Sequence, residues 1–186
     1  DLGGSNVNIA LRNAINKGSV IGPRILTSGK TIATTGGHGD PSNGLGPNLH
    51  LHDDASNAVV NSAEEARQAV RQHYKDGADW LKITATGGVL TKEKNGKGPQ
   101  FQDDELKALI ATANDYGFKV AAHAHGAEGI KRALRAGVST IEHGTFLDDE
   151  CITLFKEKNA CLVPTIIAGK TVGDSAKVPG YYHPLV

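Results

Sequence analysis

The chain has 186 residues, 39% of them hydrophobic and 22% charged, which is ordinary for one soluble globular domain and does not suggest a disordered chain. Acidic and basic residues balance at 20 each, and neither sign gathers into a run, so there is no electrostatic footprint for nucleic acid or an anionic membrane surface. No apolar run approaches the roughly 18–20 residues needed to cross a bilayer, which leaves a small molecule or short peptide as the expected partner. The chain starts at Asp1, without a basic segment followed by an apolar one, and contains no Met. It therefore reads as an internal piece of a longer polypeptide, with compartment and homo-oligomerisation left open.

In chain order, VNIALRNAINKG (7–18) has helical periodicity with Gly18 at its end, and PRILTSG (23–29) reads as a strand. Residues 33–57 are rich in Gly, Asn, Asp and Pro and predict a long loop of the kind that carries function. SAEEARQAVRQHYKDG (62–77) predicts a helix capped by Ser62 with acids in its first turn. DWLKI (79–83) predicts a buried strand, followed by a Gly- and Lys-rich loop over 86–100. A helix over 103–117 follows, with Asp103 as N-cap and Gly117 as its stop, then a strand, FKVAAH. Helix 127–137, strand VSTIEH, helix 148–159 and strand ACLVPTII (160–167) complete the alternation, and the tail from Gly173 reads as a loop. Cys151 and Cys161 form no C-x-x-C pair and read as buried thiols. Such alternation implies a parallel sheet covered by helices, either doubly wound or a (β/α)8 barrel.

Chemistry-bearing residues recur at the ends of these strands. Lys82 follows ADWL, His123 follows KVAA and His143 follows STIE, separated by about two βα units and then one. This spacing places them at one height on one mouth, where barrels build their active sites. Two histidines and a third donor make an ordinary catalytic zinc set. An ammonium would repel the cation, but a lysine desolvated at a strand end can react as the neutral amine with carbon dioxide, giving a carbamate able to bridge two ions. Spacing alone leaves open the alternative of hydrogen-bonded structural histidines and a rim lysine.

The phrases TGGHGD (35–40), GADWLKITATGGV (77–89), KVAAHAHGAEGIKRALRAGVSTIEHG (119–144) and LVPT (162–165) resemble the amidohydrolase superfamily, in the branch of imidazolonepropionases and Xaa-Pro dipeptidases. The resemblance implies a metal-dependent hydrolase, a (β/α)8 TIM barrel of which this single-domain chain carries strands 3–7 with strand 2 clipped at Asp1–Gly4. It matches Lys82 to the carboxylated lysine of the fourth strand, His123 to the metal histidine of the fifth and His143 to that of the sixth, holding one or two divalent ions, usually zinc. His125, placed on the loop just past its strand, and His38, on the loop GGHGD, are expected on the substrate side. His50, His52, His73 and His183 read as surface or local structure, and the H-x-H of NLHLH lies in the polar loop. The family's strand-1 H-x-H and strand-8 Asp, its proton-transfer base, find no match here.

The implied reaction is hydrolysis of an amide bond in a dipeptide or short peptide with a free carboxylate, Xaa-Pro dipeptidase-like or carboxypeptidase-like. A cyclic amide, as in imidazolonepropionase, is the alternative substrate; Lys82 counts against a mononuclear deaminase. The reading from another class is a non-catalytic fragment with residual metal binding. Tyr181 and Tyr182 are further candidates for contact with substrate.

Overall fold

A computed structural model describes residues 1–46, 54–90 and 95–184. The elements are α1 (Val7–Asn16), α2 (Ala63–Asp76), β1 (Leu81–Thr84), α3 (Asp103–Asp115), β2 (Val120–Gly126), α4 (Ala127–Ala136), β3 (Thr140–Phe146), α5 (Asp149–Lys158), β4 (Cys161–Val163) and α6 (Ile166–Ser175), with a short 3-10 turn at Ala55–Asn57. The helices form where apolar residues recur every three or four positions. In α2 the buried residues are Ala66, Ala69, Val70 and His73, and α3 repeats the same spacing with Leu106, Leu109, Ile110 and Ala113. Ser62 caps α2 by accepting the Glu65 N–H, and Gly77 ends it at φ 85°, a left-handed turn that glycine adopts without steric cost.

The four strands are parallel and lie side by side in sequence order, each pair joined through a helix. A doubly wound sheet reverses its strand order part-way, whereas a barrel keeps it. The fold is accordingly an arc of a (β/α) barrel. Every residue of β1 and β2 is buried, as expected when both faces of a parallel strand are covered. Leu81, Ile83 and Ile141 of the sheet join the helix residues Val70, Leu106, Leu109, Ile130 and Leu134 in one core. No described helix is long and apolar enough to cross a membrane.

Several boundaries differ from the sequence reading. Residues 23–29 form no regular strand; pairing with β1 falls downstream, where the Ile32 N–H donates to the Lys82 carbonyl (2.8 Å) and the Thr84 N–H to the Ile32 carbonyl (3.2 Å). Two local features break the earlier run. The Asp79 carboxylate takes the Thr27 N–H (2.9 Å), and Gly29 turns at φ 65°. The α3 N-cap is Gln102, in a reciprocal box with Glu105, so that Asp103 is the first helical residue.

β2 runs on to Gly126 and therefore carries His125 within the strand, where the sequence placed it on a loop. Its backbone is held there by the Thr86 hydroxyl, which accepts the His125 N–H (3.0 Å), and by the pairing of Gly126 with Phe146. β4 stops at Val163 because Pro164 has no N–H to donate and Thr165 is left-handed; Ile166 and Ile167 then open α6 instead of extending the strand, and residues 173–175 belong to that helix rather than to a loop. Cys151 is buried as expected, but Cys161 is exposed on β4, whose three residues are all exposed.

Candidate metal centre

His123 and His125 stand two residues apart on β2, so their side chains leave the same face of the sheet, and β3 brings His143 beside them. One ring nitrogen of each lies within 4.8 Å of those of the other two. The three ring centroids are 4.7–4.8 Å apart. His38, from the loop before α2, stacks on His123 at 4.3 Å between centroids. Lys82, Thr84, His123, Glu142 and His143 line one cavity of about 710 Å³, together with His38 and residues of the N-terminal segment. Lys82 thus shares a cavity with His123 and His143, but none of the three ends its strand as the spacing suggested: Lys82 is the second residue of β1 and pairs with Ala121, two residues before His123, while His123 and His143 lie in the middle of β2 and β3; His125 is not among the residues lining the cavity.

Adjacent residues of a regular strand point to opposite faces. Glu142 and His143 line the same cavity because His143 adopts φ 73°, which breaks the alternation. Glu142 was not singled out from sequence, since a carboxylate in a strand ordinarily reads as the solvent side. It is 4% exposed, accepts the Thr140 hydroxyl (2.6 Å) and forms a buried ion pair with Lys82.

The ring nitrogens have defined duties. His123 Nε2 faces the Gly87 carbonyl at 3.0 Å and must donate to it, so the lone pair of Nδ1 is the one available for a ligand. His125 Nδ1 meets the Thr145 hydroxyl and His143 Nδ1 the Thr165 hydroxyl, both at 2.7 Å, which leaves Nε2 of each ring open.

Burial, only partly offset by the Gly87 carbonyl, pushes the His123 pKa down to about 3, and the neighbouring His38, His125 and His143 push the same way. Burial followed by His143 and His38 lowers His125 to about 4. His143 is lowered by burial and by Lys82 against the opposing pull of Glu142. Burial also lowers Lys82, again opposed by Glu142. At neutral pH the site presents unprotonated imidazoles with converging lone pairs, the donor chemistry that suits zinc or a similar divalent ion.

These shifts carry a stability consequence. Between the unfolded value of 6.5 and the folded values of about 3 and about 4, the unfolded chain binds protons that the folded one does not. Stability is therefore full above pH 6.5 and declines as pH falls toward 4, by at most about 1.4 kcal/mol per unit per group. Denaturant titrations of the metal-free chain at pH 7.5 and 5.0 should show this loss, and His123→Asn should flatten it; an equally steep decline in that variant would contradict the assignment.

Gly88 makes room for His38. A methyl group there would fall 2.2 Å from His38 Cε1, while the His38 backbone N–H is fixed on Gln100 Oε1 at 2.9 Å. Gly88→Ala should displace the imidazole from His123 and cut turnover of the full-length protein about tenfold with metal content unchanged. Parallel metal analysis and kinetics check it.

The remaining sequence candidates lie elsewhere. His73 is buried in α2 with its ring nitrogens against the Ala69 and Lys30 carbonyls (2.7 and 2.9 Å), a local structural role. His183 is exposed, and Tyr181 and Tyr182 contact one another without lining the cavity. His50 and His52, with the H-x-H they form, fall outside the described residues.

Similarity to known proteins agrees with this geometry. The chain is 34% identical over 176 residues to an ochratoxinase of Aspergillus niger, covering 89% of this chain and 36% of that protein. It superposes with a TM-score of 0.94 on a crystal structure of a Xaa-Pro dipeptidase with bound methionine in its active site, at 51% identity, over 100% of this chain and 46% of that one. A prolidase complexed with N-methylphosphonate-L-proline matches with a TM-score of 0.80 at 34% identity, over 97% of this chain and 45% of that one. The chain thus spans between about a third and a half of the relatives it matches. The amidohydrolase family model covers residues 3–183, and with the barrel arc and histidine cluster it establishes that this chain belongs to the amidohydrolase family.

Proposed function

We propose that the protein to which this chain belongs hydrolyses the amide bond of a dipeptide or short peptide with a free carboxylate, Xaa-Pro peptides first among them. The observation that carries this reading is the gathering of His123, His143 and Lys82 in one cavity, on a chain 51% identical to a Xaa-Pro dipeptidase of known structure. His123 Nδ1 and His143 Nε2 hold a divalent ion, zinc in the first instance, and Lys82 serves as a carbamate that allows a second ion. A metal bound there supplies Lewis acidity to a carbonyl oxygen and lowers the pKa of water toward neutrality.

The remaining steps fall to groups of this chain and to one carboxylate beyond it. Water adds to the carbonyl carbon, the C–N bond breaks, and the amine leaves with a proton delivered by a carboxylate that the family resemblance assigns to a later strand. His125 takes the Thr145 O–H at Nδ1 and donates from Nε2 to the substrate oxygen, while His38 packs on His123 at the cavity wall. Burial lowers the Lys82 pKa while the Glu142 ion pair favours its charged form, and a carbamate beside that buried carboxylate would need a cation between the two anions.

The test is a panel of Xaa-Pro dipeptides, their C-terminal amides and a cyclic amide, offered to the metal-loaded full-length protein. Preferential cleavage of the free dipeptides supports the reading; turnover of the cyclic amide alone would replace it with the imidazolonepropionase-like alternative.

A further inference from the structure

We infer that Thr165 is a positioning residue that fixes which nitrogen of His143 meets the metal; the inference rests on the metal reading above. Two independent observations converge on it. The Thr165 hydroxyl lies 2.7 Å from His143 Nδ1, across from the end of β4 to the body of β3. Both residues also adopt left-handed backbone, His143 at φ 73° and Thr165 at φ 46°, ψ 47°. That region is sterically poor for any side chain and worst for one branched at Cβ.

The sequence LVPTII would continue as a strand if local preference ruled, yet the chain turns at Thr165 and starts α6. Its carbonyl accepts the N–H groups of Ala168 (2.9 Å) and Gly169 (3.3 Å), so the turn is fastened from the helix side. A glycine would take this backbone without penalty, whereas threonine adds a hydroxyl aimed at the imidazole. With Nδ1 engaged by that hydroxyl, only Nε2 of His143 can reach a cation, and the ring cannot flip without losing the bond. The Thr145 hydroxyl lies against His125 Nδ1 at the same distance of 2.7 Å, so hydroxyls on neighbouring elements orient neighbouring rings, although His125 is assigned to the substrate and not to the metal. Partners of this kind hold the tautomer and orientation of ligating histidines, and their removal weakens metal affinity about 10–100-fold.

The experiment measures zinc affinity by chelator competition, and the absorption spectrum of the cobalt-substituted site, in the full-length protein. Thr165→Val keeps the shape without the hydroxyl and should weaken zinc binding about 10–100-fold, whereas Thr165→Ser should restore binding to within about threefold of wild type because it keeps the oxygen. Thr165→Gly guards against misfolding, since it suits the left-handed backbone but lacks the hydroxyl, and should weaken binding as Val does. Wild-type affinity and an unaltered cobalt spectrum in the Gly variant would overturn the inference alone. A wild-type protein that binds no metal would overturn the metal reading together with it.

Discussion

His123→Ala in the full-length protein should abolish stoichiometric metal binding and lower kcat/KM for dipeptide cleavage about a thousandfold or more. The expected loss is large because His123 occupies the middle of the arrangement. It sits on β2 between β1 and β3, its ring touches those of His38, His125 and His143, and its Nε2 is fixed on the Gly87 carbonyl so that Nδ1 faces its neighbours. No other described histidine replaces that nitrogen, and a Lewis acid is worth several kcal/mol of transition-state stabilisation, about tenfold in rate for each 1.4 kcal/mol. The fold should survive, since the barrel arc is held by apolar residues behind the site. Circular dichroism beside metal analysis and kinetics separates loss of the site from loss of structure; a variant that kept its metal and its turnover would refute the role given to His123.

Lys82→Met should have the largest effect on stability. The Lys82 and Glu142 side chains are 9% and 6% exposed, and removing one partner leaves the other as an uncompensated buried charge. Such a loss costs about 3–5 kcal/mol, whereas replacing both partners by apolar residues is often neutral. Lys82→Met combined with Glu142→Leu should therefore recover most of the stability lost in the single variant, while neither protein loads two metal ions. Denaturant melts of the two variants test the first statement and metal titration the second. A single variant as stable as wild type would show that the pair does not hold this part of the fold together.

The sequence made the alternation from α2 to β4 legible because α2 and α3 carry their buried apolar residues at three- and four-residue spacing, β1 sets Leu81 and Ile83 in the core and β2 opens on the apolar residues 120–122; α6, which buries no residue, gave no such signal. Strand order then decided between the two parallel architectures, and only the structure supplies it. Lys82, His123 and His143 could be picked out because each is a polar residue set in or just after a short apolar stretch, but their depth within the strands could not, since each strand runs on beyond them. His125 could not be placed the same way, since β2 continues past the apolar run through bonds to Thr86 and Phe146, far away in sequence. Glu142 escaped notice because its partner in the sheet, His123, is fixed by a register that only the folded sheet supplies, and because His143 beside it enters the same cavity through a left-handed backbone that no local pattern announces. Thr165 lay within a phrase already noted for its family resemblance, but a β-branched residue in a left-handed turn runs against local preference, so LVPTII read as continuous strand. The displaced pairing of residues 23–29 has the same origin. Asp79, more than 50 residues away, claims the Thr27 N–H that a strand would have used.

The most direct test of the metal centre is anomalous scattering at the zinc edge from crystals of the full-length protein grown with zinc. A peak bonded at about 2.0–2.1 Å to His123 Nδ1 and His143 Nε2, with density for a carboxylated Lys82 nearby, is the predicted result. A zinc-soaked crystal with no peak between these two rings, or with the ion bound through the opposite nitrogens, would contradict the site described here.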